Sequence, residues 1–219
     1  MREAFYYNLD LTELPLEVTS SLELTKLYCD GNNLTEIPEF PNLTGLWCGK
    51  NELASLPQLP KLEALACDDN RLTSLPPYPR LAELWCQSNR LTSLPQYLKL
   101  ARLHCQDNWL SHLPLLPELI ELVCDNNQLT DLPSFPKLTQ LRCTNNQFAS
   151  LPPLPELHFL HCANNPIEWM PYYPKLTSID LTGCPVAELM EDPRSVREYH
   201  QLWRRQIQNR KKSARSAAM

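Results

Sequence analysis

The sequence has few glycines and no long apolar run. Only four glycines accompany 21 prolines in 219 residues, so we expect stiff turns instead of flexible linkers. No stretch is apolar for long enough to span a membrane, and Met1–Phe5 start no apolar signal segment. The missing signal segment, together with cysteines that recur as part of a repeat and so suit reduced thiols, predicts a reducing, cytoplasmic compartment, with the host cytosol or a virion as further possibilities.

The sequence also lacks the motifs of common enzyme chemistry. It has no glycine-rich phosphate loop, no nucleophile elbow and no evident pair of catalytic carboxylates. His104–Cys105 and His161–Cys162 are adjacent pairs, but neighbouring residues of a strand face opposite sides of a sheet and cannot chelate one metal together. We therefore predict a protein that is not an enzyme, with no catalytic residue, no cofactor and no metal site.

A nineteen-residue repeat fills most of the chain. The copy from Leu62 to Arg80 has the fixed positions L-x-x-L-x-C-x-x-N-x-L-x-x-L-P-x-Z-P-x, where Z is large and apolar. A repeat array buries its surface between neighbouring units, so we expect one elongated solenoid. The cysteines at this spacing are Cys29, Cys48, Cys67, Cys86, Cys105, Cys124, Cys143 and Cys162. The asparagines three residues later are Asn32, Asn51, Asn70, Asn89, Asn108, Asn127, Asn146 and Asn165.

Each fixed position has a physical interpretation. The alternation in L-x-x-L-x-C is typical of a strand with one buried face, on which cysteine acts as a small, reduced hydrophobe. A buried asparagine must be hydrogen-bonded, and stacked copies would form a ladder between turns. The prolines favour an extended, polyproline-like convex side and disfavour helix.

The repeat divides the chain into three parts. Residues 1–23 match only the second half of the unit, through Leu11, Leu14 and Pro15, and are expected to form an N-terminal capping partial repeat. Residues 24–190 form the solenoid of eight regular repeats and a degenerate last one. Residues 191–219 are predicted to be a capping helix and a basic tail. Asp192 is the expected N-cap, followed by Pro193 at the first helical position. The expected packing face of this helix consists of Val196, Tyr199, Leu202, Trp203 and either Gln206 or Ile207.

These motifs resemble the leucine-rich repeat family, whose strand motif L-x-x-L-x-L-x-x-N/C-x-L recurs here in at least eight consecutive units. The resemblance implies an α/β repeat solenoid with a parallel sheet on its concave face, generally used to bind proteins. The short L-T-x-L-P unit is similar to repeats of bacterial secreted effectors and of proteins of large DNA viruses. Effectors that are ubiquitin ligases carry a large catalytic domain after the repeats, and only 29 residues follow Met190 here, so ligase activity is not implied.

The variable positions of the strands are the candidate partner-binding residues, because packing does not dictate them. Aromatic side chains are enriched in binding hot spots, although here they could instead shield the sheet. The candidates on the concave face are Tyr28, Trp47, Trp85, His104, Arg142, Phe159, His161, Asp30, Asp68, Glu83, Arg102, Glu121 and Asp125, and Trp109 is a candidate on the rim.

The charges suggest the chemistry of a partner. Acidic residues concentrate in the first two thirds of the concave face, so a partner with a basic surface would complement it. Residues 193–219 carry +7 and the remainder −12, which together give the net charge of −5. The basic tail could meet an acidic surface or remain solvated. Nucleic acid is an unlikely partner, because no basic stripe extends onto the sheet.

The leading hypothesis is a protein-interaction module that holds a partner protein on the concave face. One alternative is a structural subunit of a larger assembly, such as a virus particle. Another is an effector or adaptor that recruits a substrate to a separate enzyme. The sequence identifies neither the partner nor the oligomeric state.

Overall fold

Ten strands of three residues stack in chain order into one parallel sheet. This is the arrangement in a computed structural model that describes residues 2–205. The strands are β1 Glu3–Phe5, β2 Lys26–Tyr28, β3 Gly45–Trp47, β4 Ala64–Ala66, β5 Glu83–Trp85, β6 Arg102–His104, β7 Glu121–Val123, β8 Gln140–Arg142, β9 Phe159–His161 and β10 Ser178–Asp180. The predicted solenoid with a parallel sheet is confirmed.

The strands pair without slippage, so equivalent repeat positions form straight columns. Leu27 pairs with Leu46, which pairs with Leu65, and this register continues through the sheet. Adjacent strands in a sheet lie about 4.8 Å apart. Each outward side chain therefore lies beside its equivalents in the neighbouring turns, and the residues of one column form one row on the surface.

The core lies between the sheet and the extended return segments. The central strand leucine and the following cysteine are fully buried in every regular repeat, as at Leu27 and Cys29. The large apolar residues of the Z position fill the other half of the core and are at most 2% exposed. Three of them are tyrosines whose hydroxyls donate to proline carbonyls of the preceding turn. The Z residues are Phe40, Leu59, Tyr78, Tyr97, Leu116, Phe135, Leu154 and Tyr173.

The predicted asparagine ladder is present. The Nδ2 of Asn89 donates to the carbonyl oxygen of Cys86 in its own turn at 3.2 Å and to that of Cys67 in the preceding turn at 2.9 Å. Its Oδ1 accepts from the N–H of Leu72 at 2.9 Å. Since one amide satisfies buried backbone groups of two turns, the ladder fixes the distance between them.

The cysteines are free thiols, and all nine lie buried in the described part of the chain. Burial raises the pKa of Cys67 and of Cys105, because a thiolate would lose its solvation in the core. The column of cysteines therefore consists of protonated thiols that pack in the core.

The N-terminal segment contains a strand that the sequence analysis did not predict. β1 pairs with β2, which places Phe5 beside Tyr28 and puts Tyr6 in the cysteine column. The interval from Phe5 to Tyr28 is 23 residues instead of nineteen and includes helix α1, Leu16–Thr19. Because of this longer interval and the tyrosine at the cysteine position, the sequence of β1 does not match the repeat. The boundary at residue 23 remains a prediction.

The last repeat departs from the others in its return segment. A 3-10 helix, Pro185–Leu189, replaces the extended chain. Cys184, at the position of the ladder asparagine, donates from Sγ to the carbonyl oxygen of Cys162 at 3.2 Å. The thiol thus makes the bond to the preceding turn that an asparagine amide makes elsewhere.

The predicted C-terminal capping helix is present as α2, residues 196–205 in the described chain. Tyr199 and Leu202 are buried, and the Trp203 ring lies tilted against that of Tyr172, with ring centroids 4.4 Å apart and an interplanar angle of 33°. The Tyr199 hydroxyl accepts from the N–H of Tyr173 and donates to the carbonyl of Pro171. Gln206 and Ile207, the other predicted contacts, lie outside the described residues.

The predicted start of this helix is wrong by three residues. Asp192 caps a preceding turn, where its carboxylate accepts from the N–H of Arg194. Ser195 is the N-cap, and its hydroxyl accepts from the N–H of Glu198 at 3.3 Å. Ser195 and Glu198 have the S-x-x-E spacing of a capping box, but the Glu198 carboxylate accepts from the N–H groups of Glu191 and Asp192 instead of that of Ser195. None of the helices within residues 2–205 is both long enough and apolar enough to cross a bilayer.

Candidate functional site

The concave surface is built from the first and third residues of each strand. These side chains point away from the core because the central leucine points into it. The thirteen predicted concave residues all lie on these strands or directly after the following cysteine, so they share one surface. Trp109 lies apart from them on the rim, where it is 54% exposed.

Three aromatic rings stack at the N-terminal end of this surface. The centroids of Phe5 and Tyr28 are 4.8 Å apart and those of Tyr28 and Trp47 are 4.3 Å apart, each pair with an interplanar angle of 8°. The strand spacing produces this geometry, because it is close to the separation of stacked rings. Phe5, which the sequence analysis missed, is the outermost ring and is 57% exposed.

Gly45 makes room for the indole of Trp47. A Cβ at Gly45 would lie 2.6 Å from the nearest indole carbon, well inside van der Waals contact. The glycine therefore positions the ring, although its φ is not in the left-handed region and its backbone needs no special conformation.

The row of rings is interrupted at β4. Ala66 stands between Trp47 and Trp85 in the register of the sheet, and Ala64 occupies the other outward position of the same strand. Beyond the gap, Trp85 meets His104 edge to face, with ring centroids 6.1 Å apart. Farther along, Phe159 and His161 have centroids 4.1 Å apart, and desolvation lowers the pKa of His161.

Many of the predicted concave charges are paired with one another. Arg102 bonds to Glu83. His104 Nε2 lies 3.0 Å from Glu121 Oε1. Arg142 Nε lies 3.4 Å from Asp125 Oδ2. Each pair joins neighbouring turns, so these acids are less available to a basic partner than their number in the sequence suggested.

Asp30 and Asp68 form no ion pair within residues 2–205. They flank Gly49, whose N–H donates to Asp30 Oδ1 at 3.0 Å. The Asp68 carboxylate occupies the space beside this glycine, where a Cβ would lie 2.7 Å from its Oδ1. Burial raises the pKa of both aspartates, and the charge of Asp68 raises that of Asp30 further. Surplus negative charge is therefore concentrated next to the ring stack.

One concave residue outside the predicted set connects the sheet to the C-terminal cap. Asp180 accepts from the hydroxyl of Thr182 at 2.6 Å and pairs with Arg194 at 3.2 Å. Desolvation alone would raise its pKa, but these bonds lower it overall. The described residues contain no group of three or more histidine, cysteine, aspartate or glutamate side chains that could hold a metal ion.

Comparisons with known proteins locate this fold among solved structures. Neither a protein-family model nor a curated protein matches the sequence. YopM, titled a leucine-rich effector protein from Yersinia pestis, is 31% identical with a TM-score of 0.74, and the match covers 84% of this chain and 61% of that one. YopM from Yersinia enterocolitica is 30% identical with a TM-score of 0.63, over 74% of this chain and 43% of that one.

A third similar structure is that of a Listeria protein. The functional domain of InlJ from Listeria monocytogenes, whose title records a cysteine ladder, is 30% identical with a TM-score of 0.78, over 84% of this chain and 44% of that one. The present chain thus spans less than two thirds of each of these proteins. Nineteen-residue turns, a parallel sheet in chain order and these neighbours identify the chain as a leucine-rich repeat protein.

Proposed function

We propose that this chain is a non-enzymatic protein-interaction module that holds its partner on the concave face. The observation that carries the proposal is the row of rings formed by Phe5, Tyr28 and Trp47 and continued by Trp85. Aromatic side chains supply large contact areas at a low cost in conformational entropy and are frequent binding hot spots.

Shielding of the sheet is a weaker explanation for these rings. β4 and β7 carry Ala66 and Val123 at the same position, and their central leucines and following cysteines are as fully buried as those beneath tryptophan. The fold therefore does not require a ring there. A surface that concentrates rings without a structural need is the one we assign to a partner.

An effector or adaptor role is the second candidate. It is favoured by the similarity to the Yersinia pestis YopM, whose title describes an effector. In that role the same concave face would recruit a target protein, and an enzyme would be supplied by another chain. Identification of the captured partner separates this candidate from a simple binding module.

Affinity purification with matched variants tests the proposed face. The bait variants are Trp47→Ala combined with Trp85→Ala, and a broader set that also changes Tyr28, His104 and Arg142 to alanine. Leu98→Ala is the control, because it removes an exposed apolar side chain from a return segment, outside the concave face. We expect the concave variants to lose at least tenfold in recovery of the partner by quantitative mass spectrometry, and the control to recover it fully.

Photocrosslinking then locates the contact directly. A photoreactive phenylalanine at Val123 lies on the concave face, and one at Gln96 lies on the exposed convex side. We expect the partner to crosslink at position 123 and not at position 96. Undiminished recovery by folded concave variants, or crosslinks only at position 96, would refute the proposal. A homo-oligomer that survives these changes, measured by light scattering, would favour a structural subunit instead.

A further inference from the structure

The aromatic row has a gap one strand wide at β4. Trp47 is covered by Tyr28 on one ring face, and its other face points toward the alanines of β4. Trp85 lies two strands away, which is about 9.6 Å at the usual strand spacing. Indoles carried by strands at that separation can receive one planar group between them, because β4 places no large side chain there.

The floor of the gap supports this interpretation. The two outward residues of β4, Ala64 and Ala66, carry only methyl groups, so β4 itself places no large side chain in the gap. Ala66 is 8% exposed although its side chain is small and points outward. Neighbouring side chains therefore already cover most of this methyl group, and a flat group entering over β4 would displace them less than a bulky one.

The charge beside the gap selects a cation. Asp68 follows Ala66 by two residues on the same outward face, about 7 Å along the strand. Asp30 lies on the other side of Gly49, whose N–H donates to its Oδ1. The other charged groups near the two aspartates are Lys50, which lowers their pKa, and Asp69, which raises that of Asp68. The neighbouring Glu83 is already bonded to Arg102.

We propose that an arginine side chain of the partner protein inserts over Ala64 and Ala66, stacks between Trp47 and Trp85, and pairs with Asp68 and Asp30. A guanidinium is planar and positively charged, it stacks on aromatic faces, and its fork of N–H donors matches a carboxylate. A lysine ammonium would also neutralise the aspartates, but it lacks the planar shape that stacks between two rings. This inference rests on the proposed concave-face function and specifies the chemistry of the group that the face receives.

The aspartates distinguish a binding role from a structural one. A carboxylate whose pKa is raised in the native protein destabilises the fold when it is ionised, because the unfolded chain solvates it better. Asp68→Asn should therefore leave the melting temperature unchanged or raise it by roughly 1–3 °C at pH 7. The same change should weaken arginine binding. A purely structural role for Asp68 predicts the opposite effect on stability.

Titration of the full chain with three capped tripeptides tests the proposal. The probes are Gly-Arg-Gly, Gly-Lys-Gly and Gly-citrulline-Gly, and citrulline keeps the planar shape of arginine without its charge. NMR of the indole N–H groups reports each tryptophan separately, with assignments from single Trp→Phe variants. We expect the arginine peptide to shift the signals of Trp47 and Trp85 and not that of Trp109. We also expect it to bind at least fivefold more tightly than either other peptide.

Two variants and one control complete the design. Ala66→Trp fills the gap with a ring, and Asp68→Asn combined with Asp30→Asn removes the charge, so each should reduce arginine binding at least fivefold. Val123→Trp adds the same ring at the equivalent position of β7, far from the gap, and should leave binding unchanged. Equal binding of the arginine and citrulline peptides, or unchanged binding by folded Ala66→Trp, would overturn the inference.

The two proposals fail in distinguishable ways. If the Trp47 and Trp85 alanine variant loses the partner while the arginine peptide shows no preference for the gap, the concave-face function stands and the arginine inference falls. If that variant recovers the partner fully, the concave-face function falls, whatever the peptide does.

Discussion

A single asparagine side chain satisfies backbone groups of two turns. Asn89 bonds to the carbonyl oxygens of Cys67 and Cys86 and to the N–H of Leu72, and these atoms have no access to water. Removing one partner from a buried hydrogen bond costs about 1–3 kcal/mol. We expect Asn89→Ala to lower the free energy of unfolding by about 2–4 kcal/mol in urea titrations, because more than one group loses its partner.

The neighbouring position in another repeat provides the control for that prediction. Asn33 is exposed, and it follows the ladder residue Asn32. Asn33→Ala should change the free energy of unfolding by less than about 0.5 kcal/mol, as is usual for surface substitutions. Similar losses in the two variants would mean that the ladder hydrogen bonds do not stabilise the fold beyond a generic side-chain effect.

The half-buried aspartates Asp30 and Asp68 make a pH-dependent contribution to stability. Burial raises the native pKa of Asp30 and Asp68 above the ordinary value of 3.8, so the folded state binds protons more tightly than the unfolded one. Their destabilising effect is present above the native pKa values and disappears as pH falls through them. The Asp30→Asn, Asp68→Asn variant should melt higher than the parent protein at pH 7, and the difference should shrink toward pH 4.

Comparison with this variant isolates the two aspartates from the other acids, which titrate in both proteins. Lys50 opposes the shift and remains in both. Asparagine at position 30 still offers an oxygen to the N–H of Gly49, so that bond is retained. A difference in melting temperature that stays constant between pH 7 and pH 4 would contradict the assignment.

At the scale of elements, the strands could be predicted from the sequence because each strand repeats the same inward positions. β2 to β9 follow from the alternation of leucine and cysteine, which leaves no choice of register. β1 has an alanine and a tyrosine at those positions and a longer connection, so its hydrophobic pattern gives no repeat match. β1 is instead defined by its backbone pairing with β2, and the side-chain pattern does not encode that pairing.

The candidate surface was predictable as a set of positions but not as an arrangement. The columns identify which residues face outward, and they place Tyr28 beside Trp47. Which charges neutralise one another depends on side-chain conformation, since His104 reaches Glu121 diagonally, from the third position of one strand to the first of the next. The accumulation of charge at Asp30 and Asp68 becomes apparent only after those pairs are known.

The glycine beneath the ring stack gives a prediction at this scale. Gly45→Ala introduces a Cβ 2.6 Å from the Trp47 ring, which must move, while the backbone conformation is open to alanine. We expect arginine-peptide binding to fall at least threefold and the melting temperature to stay within about 3 °C of the parent value, since alanine also restricts the unfolded chain. Unchanged binding together with an unchanged Trp47 indole signal would refute the positioning role.

For the whole molecule, stability and recognition are distributed differently along the solenoid. Each turn contacts mainly its neighbours, so the stack gains stability in similar increments from end to end. The rings and unpaired aspartates are instead concentrated in the turns of β1 to β5. Deletion of any one turn should therefore have a similar effect on unfolding. Its effect on binding should depend on which turn is deleted.

Two deletions of nineteen residues test this separation. Removal of residues 62–80 or of residues 119–137 joins repeats at equivalent positions and keeps the register. Both should fold and lower the urea m-value by about a tenth, because each removes about that fraction of the buried surface. The first deletion brings Trp47 beside Trp85, closes the gap and eliminates Asp68, so binding of the arginine peptide should be lost. The second leaves the gap intact and should preserve binding. Equal loss from both deletions would mean that recognition depends on the curvature or length of the solenoid and not on the gap at β4.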